Sequence, residues 1–246
     1  MTTALAALAD DLKKQAEGLG ATYFGIADLE PVRKEVVRQG GLFLAQFPYA
    51  LSVGVALADA IVDELHQQQN THVGRTYRHH ISTPVAAQLD GIALNLVLLL
   101  QKEGYKALPI PQGGPYDLAT LSSIFSNKLA AHMAGLGWIG KNCLLVTRDR
   151  GPRVRWTTVL TNAPLPTGVP MTERCGKCQL CVKACPAQVF TGASFRPEEP
   201  REARMDALKC RTYMEERAKV LGTRFCGLCI YVCPFGQSKK RLRRGA

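Results

Sequence analysis

The chain has no apolar run of 18 or more residues; its longest greasy stretch, Ile92 to Leu100, is broken by Asn95 and is too short to cross a bilayer. Its N-terminus, MTTALAALADDLKK, lacks the leading positive charge of a signal peptide and carries Asp10 and Asp11 instead. The expectation is an amphipathic first helix in a cytoplasmic protein with no membrane association. Acidic residues are few, 20 against 31 Lys and Arg, which leaves a formal net charge of +11. Such an excess suits an anionic partner, such as nucleic acid or a phosphorylated cofactor, or a negative group that the protein itself carries. Apolar and charged fractions of 46% and 21% exclude a disordered chain, and 246 residues suffice for one large domain or two modest ones. What is abundant is cysteine: nine in all, eight of them between residues 175 and 233. In a cytosolic protein that density argues for metal rather than disulfides.

Residues 4–19 read as a helix, TYFGIADL (22–29) as a strand and LSVGVAL (51–57) as a second, buried one. Pro84 fits a helix N-terminus. Val85, Leu89, Ile92, Leu96 and Leu99 share one face of that helix, and Gly104 ends it. YKALPI (105–110) returns as a strand, PQGGPYD (111–117) is a loop, and 122–133 reads as helical. Cys143 to Thr147 and Arg153 to Thr161 read as two strands joined by the turn RDRGP. Helices alternating with strands give an α/β domain, and the Pro-rich stretch NAPLPTGVPMTER (162–174) marks a boundary. The expected class is α+β: an α/β domain over 1–165, then a smaller ferredoxin-like module over 166–246 with a basic tail.

The first cysteine run is Cys175-x2-Cys178-x2-Cys181-x3-Cys185-Pro186; the second is Cys226-x2-Cys229-x3-Cys233-Pro234. The first is the bacterial ferredoxin pattern, whose fourth Cys serves the other cluster. The second run is one cysteine short, and Cys210, 16 residues upstream of Cys226, can supply it. The ligand sets are then Cys175, Cys178, Cys181 and Cys233 for one [4Fe–4S] cluster, and Cys185, Cys210, Cys226 and Cys229 for the other. Each cubane with its thiolates carries about −2 when oxidised, so two offset roughly four positive charges. Structural zinc is the competing reading, but zinc knuckles pair two by two and do not need C-x2-C-x2-C-x3-C-P. The ninth cysteine, Cys143, sits in the apolar run CLLV and reads as a buried thiol.

Residues 134–142, AGLGWIGKN, contain Gly135-x-Gly137-x-x-Gly140, the dinucleotide fingerprint letter for letter, followed by Lys141. A dinucleotide loop must follow a strand and open a helix. Here a helix (NKLAAHM) precedes and a strand follows. No acid stands at Val159 to Ala163, where a ribose partner belongs, and Gly140-Lys141-Asn142 lacks the Walker Ser or Thr. The glycines instead suit a helix C-terminus and close backbone approach.

AGLGWIGKN together with CGKCQLCVKACP and CGLCIYVCP resembles epoxyqueuosine reductase and its short relatives, the double-cluster iron–sulfur proteins related to reductive dehalogenases. The likeness runs from the first helix to Pro234. It implies a nitroreductase- or corrinoid-reductase-like first domain that binds base-off cobalamin and is fed electrons one at a time by the cluster module. In that family the reduced cobalt centre drives removal of an epoxide oxygen from a modified tRNA wobble base. By resemblance Gly135, Gly137, Trp138, Gly140 and Lys141 lie near the corrin, with His80 of the Tyr77-Arg78-His79-His80 segment a further corrinoid candidate. The family's catalytic Asp precedes AGLGW; here that place falls near Thr120 and Leu121, and the nearest carboxylate is Asp117. Epoxyqueuosine reductases continue past the second cluster with a helical region that helps hold tRNA, and this chain ends soon after Cys233.

Other candidates are plainer. His132 suits core or surface; Lys128 (with Ser126 and Asn127), one helix turn earlier, suits solvent or a place facing the cofactor; and Arg153 and Arg155 suit an exposed strand face or an anion contact. The run KKRLRR (239–244) is a solvated tail or a phosphate contact. Three functions follow: a cobalamin-dependent oxidoreductase acting on tRNA or a smaller substrate, a ferredoxin-type electron carrier, or a reductive activator of a corrinoid protein. All three imply a low-potential donor such as a ferredoxin or flavodoxin.

Overall fold

The computed structural model describes residues 2–112 and 116–237; the tail at 239–244 lies outside them. In chain order the elements are α1 (Thr2–Gly18), β1 (Tyr23–Asp28), α2 (Arg33–Ala45), β2 (Tyr49–Ala56), α3 (Asp59–Asp63), α4 (Thr71–Ser82), α5 (Pro84–Lys102) and β3 (Ala107–Ile110). There follow β4 (Tyr116–Asp117), β5 (Ser122–Ser123), α6 (Asn127–Met133), β6 (Trp138–Ile139), β7 (Leu145–Val146), β8 (Val154–Thr161), α7 (Leu180–Lys183), α8 (Ala207–Leu221) and α9 (Leu228–Tyr231). The chain is a mixed helix-and-sheet protein. It forms two compact units whose segments interleave instead of meeting at one boundary near residue 165. One comprises Met1–Val55, Val85–Gly137 and Arg155–Thr172, the other Ala56–Pro84, Trp138–Val154 and Glu173–Ala246.

The first unit is built on a four-stranded sheet of order β1-β2-β8-β3, with β1 antiparallel to β2 and β3 antiparallel to β8. Nearly every β8 residue is buried, so this strand is covered on both faces. Helices α1 and α6 pack on β1. Helix α5 buries Val85, Leu89, Ile92, Ala93, Leu96, Val97 and Leu100; the inward position is Leu100, with Leu99 half-buried. Residues 71–102 contain a window of mean hydropathy 1.5, apolar enough to cross a membrane, contrary to the run-length reading. In α5 part of that apolarity faces the core, while Leu94 and Leu98 are exposed.

Two local expectations are corrected. The helix expected over 122–133 begins only at Asn127, because the Ser126 hydroxyl caps it by accepting from the Leu129 N–H at 3.3 Å. Ser122 and Ser123 pair instead with Asp117 and Tyr116. The expected hairpin between 143–147 and 153–161 does not form. β7 pairs with β6, Trp138 opposite Val146 and Ile139 opposite Leu145, while β8 joins the large sheet. The cause is the turn at 140–143, where Cys143, at φ 55°, donates its N–H to the Gly140 carbonyl at 2.8 Å and folds the chain back at once.

Candidate iron–sulfur site

The second unit holds all eight clustered cysteines. In the first run Cys181 lies on α7; in the second Cys229 lies on α9, and these two short helices pack together. Cys210 reaches them through a chain of backbone contacts. Phe190 and Met205 form a β-bridge, the Asp206 N–H donates to the Val189 carbonyl at 3.0 Å, and Asp206 then caps α8, whose first turn carries Cys210. The tail of the first cysteine run is thereby tied to the helix bearing the isolated cysteine.

The sulfurs fall into two sets. Burial pushes the Cys233 thiol up to about 12, and Cys175, Cys181 and Cys178 push it the same way. Burial raises Cys181 to about 11, with Cys175 and Cys178 adding to it. Burial likewise raises Cys210 to about 11, helped by Cys226, Cys185 and Asp206. Cys229 is raised by burial and then by Cys226 and Cys210 ahead of Cys181 and Cys185. These influences follow the grouping expected from the spacing for Cys233, Cys181 and Cys210, while Cys229 feels Cys181 of the other group as well as Cys185. All eight are free thiols. A zinc knuckle gathers four ligands on one ion. A cubane instead spreads its four thiolates over four irons, so the residues present fit two cubanes.

These raised thiols set a pH dependence. Ligation needs thiolates, so loading expels protons and its apparent affinity rises with pH. The apo protein behaves oppositely. Groups held above their ordinary 9.0 stabilise the fold fully below about pH 9, and that contribution is lost as pH rises through 11 to 12. Reconstitution followed by absorbance should therefore be more complete at pH 8.5 than at 6.5, while apo-protein melting temperature should fall above pH 9.

The AGLGWIGKN segment divides between the two units. In the first, it is a Schellman end to α6: the Leu136 N–H donates to Ala131 at 3.0 Å and the Gly135 N–H to His132 at 3.0 Å, with Gly135 at φ 75°. A Cβ on Gly135 would stand 2.5 Å from the Val169 carbonyl oxygen. The Gly137 carbonyl lies 3.1 Å from His132 Nδ1, which puts His132, 9% exposed, in the core.

In the second unit, the rest of the segment holds the cysteine loops. The Trp138 indole N–H donates to Cys175 Sγ at 3.4 Å. Lys141 Nζ donates to the Gly176 carbonyl at 2.7 Å in the first run, and Asn142 Nδ2 to the Cys229 carbonyl at 3.1 Å in the second. Consecutive side chains thus clamp both runs. A Cβ on Gly140 would stand 2.9 Å from Asn142 Oδ1 and 3.5 Å from Cys175 Sγ, so the glycine lets the turn press against the ligand.

The six residues expected at a corrin are therefore committed elsewhere. His80 Nε2 accepts the Ala58 N–H at 3.1 Å, and burial, followed by the His79 charge, lowers its pKa; it is a neutral acceptor ahead of α3. Asp117 is exposed, and its carboxylate accepts the Ala119 N–H at 2.7 Å in a tight turn, which is a turn-forming role. Arg153, 2% exposed, is neither an exposed strand charge nor free for an anion: it pairs with Asp59 at 3.0 Å and Asp63 at 2.7 Å. Cys143 is buried as expected and accepts from Arg204 at 3.7 Å.

The sequence reading missed residues 64–77. Gln68 donates to the Cys226 carbonyl at 3.0 Å, the His66 and Tyr231 rings lie 5.3 Å apart, and Arg217 donates to the Gln68 carbonyl. A Cβ on Gly74 would collide with the Phe225 ring, and one on Gly227 with Leu65. The only signal in the sequence was Gly74 within an otherwise helical stretch.

Residues 174–236 match the model of the 4Fe-4S double cluster binding domain. The chain is 34% identical over 122 residues to the epoxyqueuosine reductase of Listeria monocytogenes, a stretch covering 46% of this chain and 30% of that protein. The match thus spans about a third of the relative's length. By fold it is similar to a reductive dehalogenase whose structure suggests a mechanism for B12-dependent dehalogenation (TM-score 0.68, 19% identity, 95% of this chain and 33% of that one). It is also similar to an epoxyqueuosine reductase solved with an epoxyqueuosine-modified tRNA stem loop (TM-score 0.61, 17% identity, 96% of this chain and 67% of that one).

Proposed function

We propose that the chain is an iron–sulfur oxidoreductase, similar to epoxyqueuosine reductase, that passes electrons through two [4Fe–4S] clusters to a reductive reaction. The observation that carries this reading is the gathering of eight free cysteines in one unit, over a stretch that matches a 4Fe-4S double cluster binding domain. When bound, the clusters supply one-electron transfer. The chain's own part is to hold them: Lys141, Asn142 and Gln68 fix the ligand loops through backbone carbonyls. Exposed Arg174, Lys177 and Lys183 around the first run suit an acidic low-potential donor such as a ferredoxin or flavodoxin.

Cobalamin as acceptor and tRNA as substrate are the finer form of the proposal. Both rest on likeness to the B12-dependent dehalogenase and to the reductase solved with a tRNA stem loop. The test is anaerobic reconstitution, then titration with cobalamin. Roughly eight irons per chain support the cluster reading, and zinc without iron overturns it. A base-off absorption shift supports the corrinoid; an unchanged spectrum at saturating corrinoid removes it and leaves a two-cluster reductase with another acceptor.

A further inference from the structure

Trp138 is 1% exposed and Lys141 7%. Burying an indole N–H and an ammonium costs free energy unless each meets a partner. The indole N–H has Cys175 Sγ at 3.4 Å. The backbone N–H of Lys141 also points at that sulfur. The Lys141 ammonium has the Gly176 carbonyl, but no carboxylate pairs with it among the described residues. Glu173 opposes these groups: its carboxylate accepts the Cys175 N–H, placing a negative charge at the same ligand. The ring of Phe235 meets Trp138 edge-on at a centroid distance of 4.8 Å, which fixes the direction of the indole N–H.

Resting on the two-cluster reading above, we infer that Trp138 and Lys141 are positioning residues that raise the reduction potential of the cluster ligated by Cys175, and that Glu173 lowers it. Reduction adds one negative charge to the cluster. Donors aimed at a ligand sulfur and a nearby cation stabilise that charge, and a carboxylate disfavours it. The segment that imitates a nucleotide loop is, in this role, the electrostatic setting of one cluster. Arg217 lies near Cys226 of the other set, away from the Trp138 and Lys141 contacts.

The experiment is an EPR-monitored redox titration of the reconstituted full chain, with and without Cys210→Ala, in which the remaining signal belongs to the Cys175 cluster. Trp138→Phe keeps the ring and deletes the N–H; Lys141→Met keeps the length and deletes the charge. At a fixed poise the two together should lower the reduced-to-oxidised ratio of that cluster about tenfold, equivalent to about 59 mV for one electron. Lys141→Arg should restore most of the ratio, and Glu173→Gln should shift it upward. The second cluster should keep its potential in every variant. Full iron content with unshifted potentials, or equal shifts in both clusters, overturns the inference. If Trp138→Phe fails to hold iron, the Lys141 and Glu173 variants still decide by their opposite signs. A wild-type chain that takes up no iron sinks the two-cluster reading and this inference together.

Discussion

Cys210→Ala should strip one cluster and spare the other, taking iron from roughly eight to roughly four per chain. The sequence separates Cys210 from the second run by 16 residues, but the α8 N-terminus delivers it beside Cys226 and Cys185. Removing one thiolate leaves the second quartet with three ligands, while Cys175, Cys178, Cys181 and Cys233 are untouched. One of two EPR signals should vanish. Cys143→Ala serves as the control and should keep all the iron, since that thiol accepts from Arg204 outside both quartets. Loss of both signals in Cys210→Ala, or of neither, would show that the quartets are wrongly drawn.

Gly151→Ala should be the most damaging single-methyl change in the cluster unit. Gly151 has φ 57°, and a Cβ there would stand 1.9 Å from the Phe235 carbonyl oxygen. Gly236, at φ 84°, is closed reciprocally by the Arg150 carbonyl oxygen at 2.1 Å. Two glycines thus let the turn at 147–151 and the loop after Cys233 cross backbone to backbone. Left-handed strain alone costs roughly 1–3 kcal/mol, and a backbone collision cannot be relieved by a side-chain rotamer. The displaced segment carries Cys233, so the variant should lower both the melting temperature and the iron bound by the first cluster. Gly176→Ala isolates the strain: that residue also has positive φ, 49°, but nothing lies within 4 Å of its Cβ, and its loss should be the smaller. Equal losses in the two variants would remove the crossing from the argument.

Much of the site was legible because thiolate chemistry is local. Three cysteines at spacings of three can grip one cubane, and Pro186 and Pro234 mark where the chain leaves. The wrong order of helix and strand around AGLGWIGKN was legible too, since a helix end capped by Gly135 needs only its own backbone. The roles of Trp138, Lys141 and Asn142 were not, because their partners lie 37, 35 and 87 residues away. Nor was Arg153, which looked like an exposed strand charge until Asp59 and Asp63, 94 and 90 residues before it, closed on it.

By itself the sequence determined that the chain carries a double-cluster cysteine module, and that its glycine motif follows a helix instead of a strand, the wrong order for a dinucleotide loop. Covalent spacing, capping and donor chemistry act over a few residues and can be read in one dimension. Only the tertiary structure decided that Trp138–Val154 and Ala56–Pro84 belong with the cysteines, and that the conspicuous loop serves a cluster ligand. That decision rests on buried donors finding acceptors far along the chain: a Lys141 ammonium or a Trp138 N–H taken out of water must meet a partner, and which partner is a property of the folded chain.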